Sequence, residues 1–178
     1  MRNLEIFLAC SMNVLIFGAS GATGRELLRQ GRAVKALLRH RTALAAYRDV
    51  QLVHGNVEVR ASVENAMAGQ QAVICILGSR TLLRRELAIA VGVHNILPVM
   101  ELSGIRRLIY LSSDSVGASL QRSNRIRRLL LSVILRNPTA DHELNERMIQ
   151  KSPLDWTLVG APSLNNGKPT RKYQSGST

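Results

Sequence analysis

Apolar residues fall in short, regularly spaced blocks along this chain, separated by mixed stretches long enough for helices. The blocks at 14–17, 34–38, 51–54, 72–77, 108–111 and 156–159 read as six strands. Val14-Leu15-Ile16-Phe17 and Ala72-Val73-Ile74-Cys75-Ile76-Leu77 carry no polar alternation, as expected of strands buried on both faces. The intervening stretches predict helices over 25–30, 63–68, 82–103, 123–136 and from Thr139 or Asp141 to Lys151. Ser62 is placed to cap the second of these, and Pro98 to kink or break the third before Gly104 ends it. Pro138 is expected to separate the last two. Strands alternating with helices imply an α/β fold, with a doubly wound parallel sheet covered on both faces in three α/β/α layers.

The first strand runs into Gly18-Ala19-Ser20-Gly21-Ala22-Thr23-Gly24 and then into a helix. This is the opening unit of a Rossmann-like dinucleotide-binding domain. Gly18 permits the tight turn, Gly21 lets the backbone approach a pyrophosphate, and Gly24 lets the helix pack on the strand. The helix N-terminus then offers unpaired N–H groups and a positive dipole end to phosphates. A turn of purely structural purpose is the alternative. The second strand ends in Arg39-His40-Arg41, where an acidic residue would hold the ribose hydroxyls of NAD. Arginines there favour a 2′-phosphate and hence NADP; the competing reading is solvated surface charge. Every predicted strand ends in small, basic or proline residues, which leaves room for a nucleotide along one sheet edge.

Charge and composition narrow the picture less. The formal net charge is +12, aromatic residues make up 3%, and no apolar run is long enough to span a membrane. Arg122, Arg125, Arg127, Arg128 and Arg136 mark a basic helix pattern, a solvated edge or a surface for an acidic partner. Without a recognisable nucleic-acid module or interleaved aromatics, nucleic acid is not the expected partner. Cys10 and Cys75 are not expected to pair, which fits a reducing, cytoplasmic setting. Residues 1–11 read as an extension ahead of a start at Met12, 12–164 as the NAD(P)-binding domain, and 165–178 as a polar C-terminal tail.

With these motifs, the chain resembles the atypical short-chain dehydrogenase/reductase group, NmrA-like and NAD(P)H-binding, and within it the biliverdin IX-beta reductase/flavin reductase kind. Gly18 to Gly24, Leu38-Arg39, Gly55-Asn56-Val57, Ala72-Val73-Ile74 with Leu77-Gly78-Ser79-Arg80, Leu111-Ser112-Ser113 and Asp141-His142 carry the resemblance. It implies that Gly18, Ser20, Gly21, Ala22, Thr23 and Gly24 hold the pyrophosphate and Arg39 the 2′-phosphate. Asn56 and Val57 would lie against adenine, and Leu77, Gly78, Ser79 and Arg80 near the ribose and phosphates. Leu111 and Ser112 would line the nicotinamide side with Pro162 opposite, and Ser113 would stand at the hydride-transfer site. The implied activity is NADPH-dependent reduction of a flavin, quinone or tetrapyrrole; the alternative is a non-catalytic NADP-binding redox sensor. Ser163 stands where the group has an active-site histidine. The chain stops where the group adds a further strand and helix, which the resemblance reads as either a truncated product or an unusual paralogue.

Other chemistries fit poorly. No tyrosine is followed four residues later by lysine, and the serines after the fifth strand form no G-x-S-x-G elbow. His40, His54, His94 and His142 lack metal-ligand spacing, and no metal is expected. His142 is expected on a helix surface.

Overall fold

The computed structural model describes residues 12–30, 34–40, 47, 50–78, 87–113 and 136–161. Its elements are β1 (Val14–Phe17), α1 (Ala22–Gln30), β2 (Val34–Leu38), β3 (Val50–His54), α2 (Arg60–Met67), β4 (Ala72–Cys75), α3 (Leu87–Leu102), β5 (Arg107–Ser113), α4 (Arg136–Lys151) and β6 (Asp155–Ala161). The six strands form one parallel sheet in the order β3-β2-β1-β4-β5-β6. The order reverses at β1, so the crevice where a ligand enters such sheets opens above the ends of β1 and β4. The expected Rossmann-like fold is therefore the observed one.

Strand alternation divides the core between the two faces. Leu15 and Phe17 of β1, Val73 and Cys75 of β4, and Leu108 and Tyr110 of β5 pack with Val63, Met67, Val93, Ile96, Met100 and Ile149 of α2, α3 and α4. Ile16, Val34, Ala36 and Leu38 pack on the opposite face with Leu28 of α1. Lys35 is the polar exception on β2: it is buried, and its Nζ donates to the carbonyl of Ala68 at the end of α2 over 2.7 Å.

Several predicted boundaries move. Helix α1 begins at Ala22, so Ala22, Thr23 and Gly24 form its first turn rather than part of the preceding loop. Ser62 lies inside α2; the helix is preceded by Val59, which makes no side-chain capping bond. Val59 accepts the turn-forming bonds through its backbone carbonyl instead, from the N–H groups of Ser62 and Val63. Pro98 is carried within α3, and α4 starts at Arg136, so Pro138 falls in a first turn where its missing N–H costs no helical bond. Ser112 and Ser113 belong to β5, which pairs with β6 as far as Ser113 opposite Ala161. Ser79, Arg80, Pro162, Ser163 and the basic segment up to residue 135 lie outside the described residues.

Candidate functional site

The turn after β1 is built around Gly18, which has φ +88°. A Cβ there would stand 2.5 Å from the Ile76 carbonyl oxygen, so both backbone conformation and packing demand glycine. Gly24 is equally constrained: a Cβ would lie 2.5 Å from the Cα of Ala19, beneath the first turn of α1. Gly21 differs. It is exposed, its N–H donates to the Gly18 carbonyl over 3.1 Å, and a Cβ would meet nothing nearer than that oxygen at 3.4 Å. The protein's own packing leaves a side chain's space open at Gly21. Arg25 N–H makes the first helical bond to the Gly21 carbonyl, which leaves the N–H groups of Ala22, Thr23 and Gly24 without an intrahelical acceptor.

Beside this turn lies a cavity of about 250 Å³ lined by Phe17, Gly18, Ser20, Arg39, Asn56 and Gly78, among others. It brings together seven of the residues expected at a nucleotide: Gly18, Ser20, Arg39, Asn56, Val57, Leu77 and Gly78. Gly21, Ala22, Thr23 and Gly24 adjoin it through the turn and first helical residues. Arg25, His40, Glu58 and Ile89 also line it, and none was assigned a nucleotide contact from the sequence. Arg25 Nε donates to the Ser20 carbonyl over 3.1 Å, tying the guanidinium to the turn.

The far wall is held by contacts that sequence spacing did not show. Asn95 of α3 donates through Nδ2 to the carbonyls of Val57 at 3.0 Å and Glu58 at 2.9 Å. Gly92, one turn earlier, admits Val57 and Leu77: a Cβ would stand 3.0 Å from the Val57 methyls and 3.2 Å from Leu77 Cδ1. Asn56 Oδ1 accepts the Glu58 N–H at 3.2 Å, closing an Asx turn. The loop after β3 is thus fixed at the cavity before any ligand arrives.

Further along the same edge, β5 meets α4 through polar side chains. Ser112 is buried and donates through Oγ to Glu146 Oε1. Tyr110 and Asn145 are both 0% exposed. Asn145 Nδ2 donates to the Tyr110 hydroxyl at 3.1 Å, and that hydroxyl lies 3.2 Å from His142 Nδ1. Asn145 Oδ1 finds no hydrogen-bond partner among the described residues. His142 is half-buried, which corrects the expectation of a surface histidine: Tyr110 draws its ring against the sheet. Leu111 lies opposite Val159 and Ser112 opposite Gly160. Only the backbone of Ser113 is described, at the last residue of β5.

Among the described residues no cluster of His, Cys, Asp or Glu could hold a metal ion, and no helix is long and apolar enough to cross a membrane. Cys75, at the end of β4, is a free, buried thiol whose pKa burial pushes up to about 12.

The NAD(P)H-binding family matches residues 18–178. In fold, the chain is similar to ChuY, an anaerobillin reductase from Escherichia coli O157:H7, at 23% identity over 93% of this chain and 81% of that one, with a TM-score of 0.69. It is similar to the oxidoreductase ylbE from Lactococcus lactis at 21% identity over 89% and 73%, TM-score 0.70. A putative NAD-dependent epimerase/dehydratase from Bacillus halodurans matches at 23% identity over 90% and 75%, TM-score 0.70. These likenesses show that the chain shares the Rossmann-like fold of these proteins.

Proposed function

Because the chain belongs to the NAD(P)H-binding family, we propose that it is an NADPH-dependent reductase that passes hydride to a small conjugated acceptor: a flavin, a quinone or a tetrapyrrole. The observation that carries the cofactor reading is the unfilled space at Gly21, between a tight turn and the open N-terminus of α1. A pyrophosphate there receives backbone N–H groups and the positive end of the helix dipole. Arg39, at the carboxyl end of β2 and in the cavity wall, takes the 2′-phosphate of NADPH, and Arg25 adds a second cation near the turn. Val57, whose carbonyl accepts from Asn95, and Asn56 form the adenine side. Nicotinamide supplies the hydride.

The chain's own residues then bind, orient and shelter. Leu77 and Gly78 border the path from the phosphate turn toward β5, where Leu111, Ser112 and Ser113 would line the nicotinamide. The reductase class draws further support from a structural neighbour described as an anaerobillin reductase. The test is consumption of NADPH by purified protein with FMN, a benzoquinone or a linear tetrapyrrole as acceptor. Turnover with at least one acceptor, faster with NADPH than with NADH, is expected. Tight NADPH binding without turnover on any of them would replace this reading with that of a redox-sensing regulator.

A further inference from the structure

The cavity beside the glycine turn is unevenly charged. Arg25 comes to it from α1, and Arg39 and His40 from the end of β2. Glu58, in the loop after β3, is the only carboxylate among its lining residues. A carboxylate repels phosphates, so its place in such a cavity is at the uncharged end of a nucleotide, the base. Glu58 is exposed and makes no ion pair among the described residues. Arg60, two residues on, is engaged with Glu64 at 2.9 Å instead.

Asn56 stands beside this carboxylate in one orientation. Its Oδ1 accepts the Glu58 N–H at 3.2 Å, and a backbone N–H can only donate, so the amide cannot be turned over. Nδ2 is then the amide atom next to the carboxylate, 3.4 Å from Glu58 Oε1. It carries two hydrogens, so one remains beyond that contact. The loop thus presents a donor beside an acceptor, in a fixed order. Its backbone is held from α3, where Asn95 Nδ2 donates to the carbonyls of Val57 at 3.0 Å and Glu58 at 2.9 Å. The pair is in place before a ligand arrives.

We propose that Glu58 and Asn56 read the base of the dinucleotide. The Glu58 carboxylate accepts from the exocyclic amino group of adenine, and Asn56 Nδ2–H donates to the ring nitrogen beside it. The assignment rests on the cofactor reading above and adds its base specificity. Asn56 Oδ1 is taken by the backbone, so the acceptor's role passes to Glu58, which the sequence pattern did not mark. The pyrophosphate, held at the glycine turn, sets where the base lies. A base with a carbonyl in place of the amino group reverses both partners there: its oxygen meets the carboxylate, and its ring N–H meets the Asn56 N–H. Neither pair can bond, and the polar groups are left unpaired.

The experiment is calorimetric titration of the full chain with NADP⁺ and with nicotinamide hypoxanthine dinucleotide phosphate, in which hypoxanthine replaces adenine. Wild type should bind NADP⁺ about tenfold more tightly, the scale of one charge-assisted hydrogen bond. Glu58→Ala should bring the two affinities level, chiefly by losing affinity for NADP⁺. Its urea midpoint should match that of wild type, because the bonds to Asn56 Oδ1 and Asn95 run through the backbone N–H and carbonyl that alanine keeps. Glu58→Gln, which retains an acceptor oxygen, should restore most of the preference. Equal affinity of wild type for the two dinucleotides would overturn the assignment, as would an unchanged ratio in Glu58→Ala. Absence of NADP⁺ binding by wild type would overturn the cofactor reading, and the base assignment with it.

Discussion

The two ends of the sheet's carboxyl edge are built by different means. On the β1–β2–β3 side, the phosphate turn is made of backbone, a glycine turn and a helix N-terminus, beside a loop pinned through its carbonyls by Asn95 and the side chain of Arg39. On the β5–α4 side it is made of side chains, in the pairs Ser112–Glu146, Tyr110–His142 and Asn145–Tyr110. A backbone site is suited to phosphates, which every nucleotide shares. A side-chain site can change its chemistry by substitution without disturbing the fold. On the proposed function, the first region would hold the cofactor and the second would face the substrate.

The sharpest way to break the comparison is within the three glycines. Gly24→Val forces a side chain into the backbone of Ala19 and should cost about 3 kcal/mol or more of stability, as overpacked positions do. Urea unfolding measures it. Gly21→Val meets no such wall; its midpoint should stay close to wild type while NADPH affinity falls by about 100-fold, close to 3 kcal/mol. Loss of stability equal to that of Gly24→Val would mean that Gly21 serves the fold alone.

On the opposite side, Tyr110→Phe leaves the buried Asn145 amide without its acceptor and should cost about 2 kcal/mol of stability. NADPH affinity should hold, because Tyr110 is not in the cavity wall. Equal losses of affinity and stability would merge the two regions. Arg39→Ala should weaken NADPH by about tenfold and leave NADH nearly unaffected, the scale of one charge-assisted hydrogen bond; calorimetry with both cofactors reads the ratio. The smallest expected effect is at Cys75, whose thiol pKa is raised by burial to about 12. The thiolate is the reactive form, so alkylation of Cys75 at pH 8 should be far slower in the folded protein than in urea. Fast native alkylation would show that the end of β4 is open.

The same contrast explains what could be read from the sequence. Strands β1 and β2 were legible to the residue because they are apolar, or apolar but for Lys35, and end at glycine and arginine. Gly18 and Gly24 were legible because a strand–glycine–helix pattern is local. The polar cluster was not: Tyr110 and His142 are 32 residues apart, and Tyr110 and Asn145 are 35 apart. His142, Asn145, Glu146 and Ile149 share one face of α4, but three of the four are polar, so the face did not register as core. The same polar stripe, together with Pro138, concealed the start of α4. Asn95 was hidden for the opposite reason, as one of two adjacent polar residues, with His94, inside the largely apolar α3, where only the fold brings the loop after β3 within reach. Ser62 carried a capping signal, yet α2 begins three residues earlier than expected, at Arg60 with Val59 as its N-cap, and Ser62 packs close to Gly55.

On the proposed function, the turn at Gly21 and the end of β2 together would select NADPH. The most direct test of that selection is calorimetric titration of wild-type protein and Gly21→Val with NADPH and NADH, with unfolding curves recorded on the same samples. NADPH should bind wild type more tightly than NADH, and Gly21→Val should lose NADPH while unfolding at the same urea concentration. Equal affinity of wild type for both cofactors would contradict the role of Arg39, and undiminished binding by folded Gly21→Val would contradict the site itself.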